Sequence, residues 1–151
     1  MFKFLLVAAL VPAMALANVS FTACANGAPT PTSLIVNDCS GDSCVLTAGQ
    51  PVNALASGIL SPANSATAEA YITVRLGGLD VGFEIPETLE DACAVGIEGG
   101  CPLTAGSPFN YALNIESLDV PAAGTTVSIE VGLTGDGGVA LGCLMFNAQI
   151  N

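Results

Sequence analysis

An all-β, immunoglobulin-like sandwich of two antiparallel sheets is the fold this sequence predicts, and three observations carry that reading. Period-two alternation runs unbroken through four segments, Gly and Pro turn signals separate the segments at short intervals, and no window shows convincing helical spacing. Alternation puts every second side chain on one face of a strand, so an apolar row opposite a polar one marks a half-buried antiparallel strand. The 151 residues suit one domain, and nothing in them reads as a linker between two cores.

Val19 to Ala23, Leu34 to Val36 and Val52 to Leu60 are the first strand candidates, weaker than those that follow, and Pro-bearing turns at Thr30 to Thr32 and Ser61 to Asn64 punctuate them. Residues 68 to 76 then place Ala68, Ala70, Ile72, Val74 and Leu76 on one face, against Glu69, Tyr71, Thr73 and Arg75. Gly77-Gly78 is a two-residue hairpin loop. Beyond it Leu79, Val81, Phe83 and Ile85 alternate with Asp80, Gly82 and Glu84, and Pro86 ends the run. Phe109, Tyr111, Leu113 and Ile115 form a third apolar row, and Val127, Ile129, Val131 and Leu133 a fourth. After the turn Gly135-Asp136-Gly137-Gly138, Val139 to Ile150 completes about eight strands. There is no tandem repeat and no low-complexity tract.

The first residues read as a secretory leader rather than as fold. Residues 1 to 17 carry one basic side chain, Lys3, then an apolar run from Phe4 to Val11, and close on Ala15-Leu16-Ala17, a small-x-small cleavage pattern. A spanning helix needs about 20 apolar residues, and Pro12 and Asn18 cut this run short. The mature domain is therefore expected over 18–151, secreted and without an integral membrane segment. In an oxidising compartment the six cysteines, all beyond residue 17, imply three disulfides. Four residues separate Cys39 from Cys44 and seven separate Cys93 from Cys101. Pairing by proximity leaves Cys24 for Cys143.

Charge removes whole classes of function. Against 13 acidic residues stand two basic ones, Lys3 and Arg75, a net charge of −11. Binding nucleic acid requires clusters of Lys and Arg, as does attraction to anionic membranes. Here the charge serves solubility, in a chain that is 52% hydrophobic. Catalysis is equally constrained, because there is no His and no Lys beyond residue 17. Zinc sites built on His or free thiolates fall with them once the cysteines are paired. Glu84, Glu87, Glu90 and Asp91 are carboxylates of the kind that cleave glycosides, but they lie on an outward row or in a loop, where acids are normally solvated. Asp136 has glycines for neighbours, and a calcium ion wants about 6 to 8 oxygens. No enzyme, no metal and no cofactor is implied.

What remains is the apolar rows. Their simplest reading is a filled sandwich core, which would make the protein a ligand-free structural module. The rows are rich in Val, Ile and Leu and poor in rings, however, so the interior is also open to being incompletely filled, as suits an oily guest.

The order of Cys24, Cys39, Cys44, Cys93, Cys101 and Cys143, together with Val81-Gly82-Phe83-Glu84-Ile85-Pro86, Cys101-Pro102-Leu103, Phe109-Asn110-Tyr111 and Val120-Pro121, resembles the Niemann-Pick type C2 proteins. These belong to the ML-domain lipid-recognition family, which also includes the mite group 2 allergens. The resemblance covers nearly the whole chain beyond residue 17. It implies a sandwich whose sheets splay around a sterol or fatty-acyl ligand, with the same three disulfides. By position it implies that Val81, Phe83 and Tyr111 line the cavity and that Val120 stands at its mouth, where relatives often have Tyr beside Pro. Ile72, Leu76, Ile115, Ile129 and Val131 join them by parity. The chain departs from the family's sterol carriers, which commonly have Trp on the strand holding Val131 and again after the last cysteine, where this chain has Leu144, so the guest is expected to be bulkier than cholesterol or simply different. The expected protein is a secreted monomer that carries a small lipid. A lysosomal address has less support, since the one N-x-S/T sequon is Asn18-Val19-Ser20, at the start of the expected mature chain. The alternative is a lipid-dependent immune or chemosensory module in transient contact with a membrane or receptor, which calls for an exposed apolar patch around Leu118 to Pro121.

Overall fold

The structure, a computed structural model, describes residues 17–151, so the expected leader lies outside the described residues except for Ala17. Nine strands form two sheets that face each other. In chain order they are β1 (Thr22–Ala23), β2 (Ser33–Val36), β3 (Val45–Leu46), β4 (Val52–Leu60), β5 (Glu69–Leu76), β6 (Leu79–Asp80), β7 (Pro108–Ile115), β8 (Thr126–Thr134) and β9 (Ala140–Ile150). The larger sheet runs β1-β9-β8-β5-β6 with β3 also on β9; the smaller runs β2-β4-β7. Every pairing is antiparallel except β3 with β9, which is parallel. Among the described residues the only helical elements are two three-residue 3-10 turns, and no helix is long and apolar enough to cross a membrane.

Alternation decides the inner faces. On β5 Ala70, Ile72 and Val74 are buried; on β8 Val127, Ile129 and Leu133; on β7 Phe109, Tyr111, Leu113 and Ile115. Parity breaks twice, on β9, which carries an extra residue at Leu141 against β8, and on β4. Between Ala56 and Ile59 β4 carries a bulge against β7, with Gly58 at φ +71° and its N–H bonded to Asn110 Oδ1 at 3.0 Å. An extra residue turns both Ala56 and Ile59 inward and leaves Leu60 outside, where strict alternation would have buried it. A Cβ at Gly58 would strike Thr32 as well.

The segment after the Gly77-Gly78 hairpin departs from expectation. Both glycines have positive φ, at +59° and +83°, as a two-residue hairpin requires, and Leu76 pairs with Leu79 across it. The ladder then stops after Asp80, so the anticipated strand over 79 to 85 is two residues long. Asp80 itself is the cause: its Oδ1 accepts the Gly82 N–H at 2.8 Å while Gly82 adopts φ +80°, an Asx turn that lifts the chain off the β5 edge. Val81, Phe83 and Ile85 keep their parity and pack half-buried against the core. Leu76 and Leu79, at the hairpin tip, are 39% and 75% exposed.

The disulfides are Cys24–Cys143, Cys39–Cys44 and Cys93–Cys101. None joins a strand of one sheet to a strand of the other: Cys24 follows β1 and Cys143 lies in β9, both of the larger sheet, and the other two close local loops. On the outer face Tyr71 lies over Gly132, its register partner, where any Cβ would collide with the ring. Its hydroxyl donates to Glu130 Oε2 at 2.9 Å, and Arg75 pairs with the other oxygen of that carboxylate at 3.0 Å. Asp136, considered above as a cation ligand, is a latch instead. Its carboxylate accepts bonds from the Thr67 hydroxyl and from the N–H groups of Ala66 and Thr67, which hold its pKa below the ordinary value.

In the loop-closure account, opening Cys24–Cys143 releases 119 residues of sequence separation and the two others only 5 and 8. Replacing both Cys24 and Cys143 by Ala should lower the unfolding free energy by about 4.9 kcal/mol, and replacing a short-loop pair by roughly 2.5 kcal/mol. Denaturant titration of the variants checks the order; equal losses would show that local packing, not loop closure, sets the contribution.

Candidate functional site

Between the sheets lies a cavity walled on both sides by the inner rows. From the smaller sheet come Leu34, then Val52, Ala54 and Ala56 of β4, then Tyr111, Leu113 and Ile115 of β7. Opposite them stand Ile72 and Val74 of β5, Ile129 and Val131 of β8, and Leu144 and Phe146 of β9. Leu46, Phe83, Leu118 and Val120 complete the lining. Two alanines on β4 and the absence of Trp leave the sheets without side chains long enough to interlock. The space between them is small, with a cavity volume of about 50 Å³.

Of the residues expected there from the sequence, Ile72, Phe83, Tyr111, Ile115, Val120, Ile129 and Val131 face this space. Leu76 and Val81 do not. Leu76 ends β5 at the exposed hairpin, beyond the reach of the facing sheet. Val81 is held back at the sheet edge, where its N–H bonds the Val74 carbonyl at 2.9 Å, and the Asx turn then delivers Phe83 rather than Val81 to the opening. The receptor-dependent alternative called for an outward apolar patch around Leu118 to Pro121. Instead Leu118, Val120 and Ala122 are buried and alternate with exposed Asp119 and Pro121, so the loop turns its apolar side chains into the cavity. Val74 and Leu113 lie on the rows that supplied Ile72 and Tyr111, and parity alone pointed to them. Ala54, Leu144 and Phe146 sit on strands whose sequence signal was weaker.

Tyr111 is the only lining residue with a polar side chain. It is 4% exposed, and burial alone pushes its pKa up to about 12, with no charged or hydrogen-bonding neighbour contributing. Its ring is clamped from outside the cavity by Gly96, whose Cβ, were there one, would lie 2.6 Å from Tyr111 Cε2. The phenol is therefore a neutral group, able to donate and to accept, in otherwise hydrocarbon surroundings. Phe83 and Ile115 also border a surface recess that Glu84, Pro86, Ser117, Asp119 and Pro121 complete, so the cavity has its mouth at that end. None of Glu84, Glu87, Glu90 and Asp91 is buried, and none is among the lining residues.

With the geometry established, its relatives can be placed. The ML domain family model matches residues 18–150. The chain belongs to the ML-domain family. Among curated proteins it is 35% identical over 150 residues to the mite group 2 allergen Tyr p 2 of Tyrophagus putrescentiae, covering 98% of each chain. It is 31% identical over 135 residues to the mite group 2 allergen Gly d 2.02 of Glycyphagus domesticus, covering 88% of this chain and 98% of that one. Among solved structures it resembles a Niemann-Pick type C2 protein from the Japanese carpenter ant, with TM-score 0.72 at 14% identity over 87% of this chain and 99% of the other. It also resembles chicken MD-1 complexed with lipid IVa, with TM-score 0.56 at 15% identity over 84% and 85%. At these identities the two structures support the ML fold, and the allergens support the family.

The tyrosines give the site an optical handle, since the chain has two of them and no Trp. Tyr71 also rises to about 12, from burial first and then from its bond to Glu130. A raised folded pKa means that the native state holds protons the unfolded state has released. Stability from this source is complete below about pH 10 and is lost as pH climbs toward 12. Absorbance at the phenolate band should stay flat through about pH 10.5 and rise together with unfolding. A normal titration near pH 10 in the folded protein would show that Tyr111 is not sealed in.

Proposed function

We propose that this protein is a secreted, non-catalytic carrier that holds a sterol, fatty acid or similar small lipid between its sheets. The observation that carries the reading is a cavity lined by hydrocarbon from both sheets, with one phenol as its only polar side chain. Membership of the ML family agrees with it, as does the presence of lipid IVa in the structurally similar MD-1 complex. Residues 1–17 as a removable leader, the mature domain over 18–151 and three disulfides fit an extracellular address.

At about 50 Å³ the cavity is smaller than a sterol, so uptake requires the sheets to part. Two disulfides limit how far they part: Cys39–Cys44 ties the chain leaving β2 of the smaller sheet to the start of β3 on the larger, and Cys93–Cys101 closes a segment that bridges to β5 at Asp91 and to β7 at Ile97. Burying about 300 Å² of apolar ligand surface at about 25 cal/mol/Å² gives roughly 7 kcal/mol before ordering losses, enough for micromolar binding. The receptor-dependent alternative loses its expected apolar patch, since Leu118 and Val120 point inward. A monomer that solubilises its cargo is the simpler reading.

Extraction of the protein secreted from eukaryotic cells should yield a co-purifying lipid, identified by mass spectrometry. Phe83→Asp should weaken uptake of a fluorescent sterol or fatty acid at least about tenfold, about 1.4 kcal/mol. Its melting temperature should fall by only a few degrees, because Phe83 is half-buried at the mouth. A wild-type protein that comes out empty, ignores both probes and shows no ligand-dependent rise in melting temperature would refute the carrier reading.

A further inference from the structure

The recess at the cavity's mouth is lined by two carboxylates from different segments. Glu84 comes from the segment that presents Phe83, and Asp119 from the loop that presents Leu118 and Val120. Both are exposed. Glu87 and Glu116 stand close by in the same two segments. No basic side chain balances them. Among the described residues Arg75 is the only one, and it is spent on Glu130 at the outer face of the larger sheet. Inside, the only polar side chain is the phenol of Tyr111.

We infer that this site selects lipids whose polar end is uncharged, such as a long-chain alcohol, aldehyde, ester or sterol, and discriminates against lipids ending in a carboxylate or phosphate. The inference rests on the carrier reading and narrows its ligand. A bound lipid has two places for its head. Drawn inward beside Tyr111, an anion is stripped of water and finds no cation, an arrangement that is strongly unfavourable. Left at the mouth, it faces Glu84 and Asp119, and like charges a few ångströms apart repel. A hydroxyl or carbonyl escapes both difficulties. Inside, it has no charge to strip of water; at the mouth, a hydroxyl donates to a carboxylate in a charge-assisted bond.

The test holds the tail constant and varies the head. On delipidated full-length secreted protein, displacement of the neutral probe N-phenyl-1-naphthylamine is measured with oleyl alcohol, methyl oleate and oleate, at about pH 8 and about 20 mM salt. The alcohol and ester should bind at least about tenfold tighter than oleate. Raising salt to about 0.5 M, which shortens the screening length from about 20 Å to about 4 Å, should narrow that ratio. The double variant Glu84→Gln with Asp119→Asn should bring the ratio below about threefold. Oleate binding as tightly as oleyl alcohol, or a ratio that neither salt nor the double variant moves, overturns the inference while the carrier reading stands. If none of the three displaces the probe and the probe itself does not bind, the carrier reading fails and this one with it.

Discussion

Everything in this molecule depends on two apolar sheet faces that close over each other without interlocking. Each sheet satisfies its own backbone: β4 is paired on both sides by β2 and β7, and β8 by β5 and β9. The space between them therefore has to be filled by side chains alone, and Ala54, Ala56, Val131 and Leu144 are too short to fill it. An unfilled gap has a cost. At about 24 cal/mol per Å³, the open 50 Å³ is worth on the order of 1 kcal/mol, small enough for the fold to tolerate and available to any guest that restores the lost contacts. Cys24–Cys143 braces the larger sheet alone, while Cys39–Cys44 and Cys93–Cys101 tighten segments that run from one sheet to the other.

Alternation and turn chemistry made most of this architecture legible. The rows at 68 to 76, 109 to 115 and 127 to 133 read directly as β5, β7 and β8, because each buries one face and exposes the other. Cysteine proximity was enough for the disulfides, since two of the bridges close loops of a few residues. Where reading failed, a local bond had overridden the pattern. The Asp80 carboxylate on the Gly82 amide ended a strand that alternation would have continued to Ile85, and so moved Val81 out of the cavity. β3 was missed because two residues paired in parallel to the end of β9 carry no periodicity at all. Burial of Leu118 and Val120, which the receptor-dependent alternative needed exposed, comes from the approach of other segments, which no local pattern encodes.

A deeper limit concerns the cavity itself. Parity states which side chains point inward but not how far apart the two inward faces lie. Val131 and Leu144 are compatible with a packed core if the sheets approach and with a chamber if they do not. The scarcity of rings in the rows left the second arrangement open, and the resemblance of the cysteine order and the Phe83-x-Ile85-Pro86 strand to the family pointed to it. Tyr111 illustrates the same point, since its place on an apolar row predicts burial whereas its use as the lone polar group of a chamber depends on what stands opposite.

Partition of charge follows from the same geometry. A chain with mean hydropathy +0.68 sends its apolar mass to two inner faces and its acids to the outer surface. Alternation enforces that separation residue by residue: on β5 Tyr71 and Arg75 meet Glu130 outside while Ile72 and Val74 look inward. Along the strands, then, no charge approaches the cavity. The separation lapses where the strands end. There the chain must turn, parity no longer assigns a side, and Glu84 and Asp119 arrive beside Phe83 and Val120. The rim is thus the one place where the protein's acidity and its hydrocarbon interior meet, and any molecule that occupies the interior meets that acidity at its polar end.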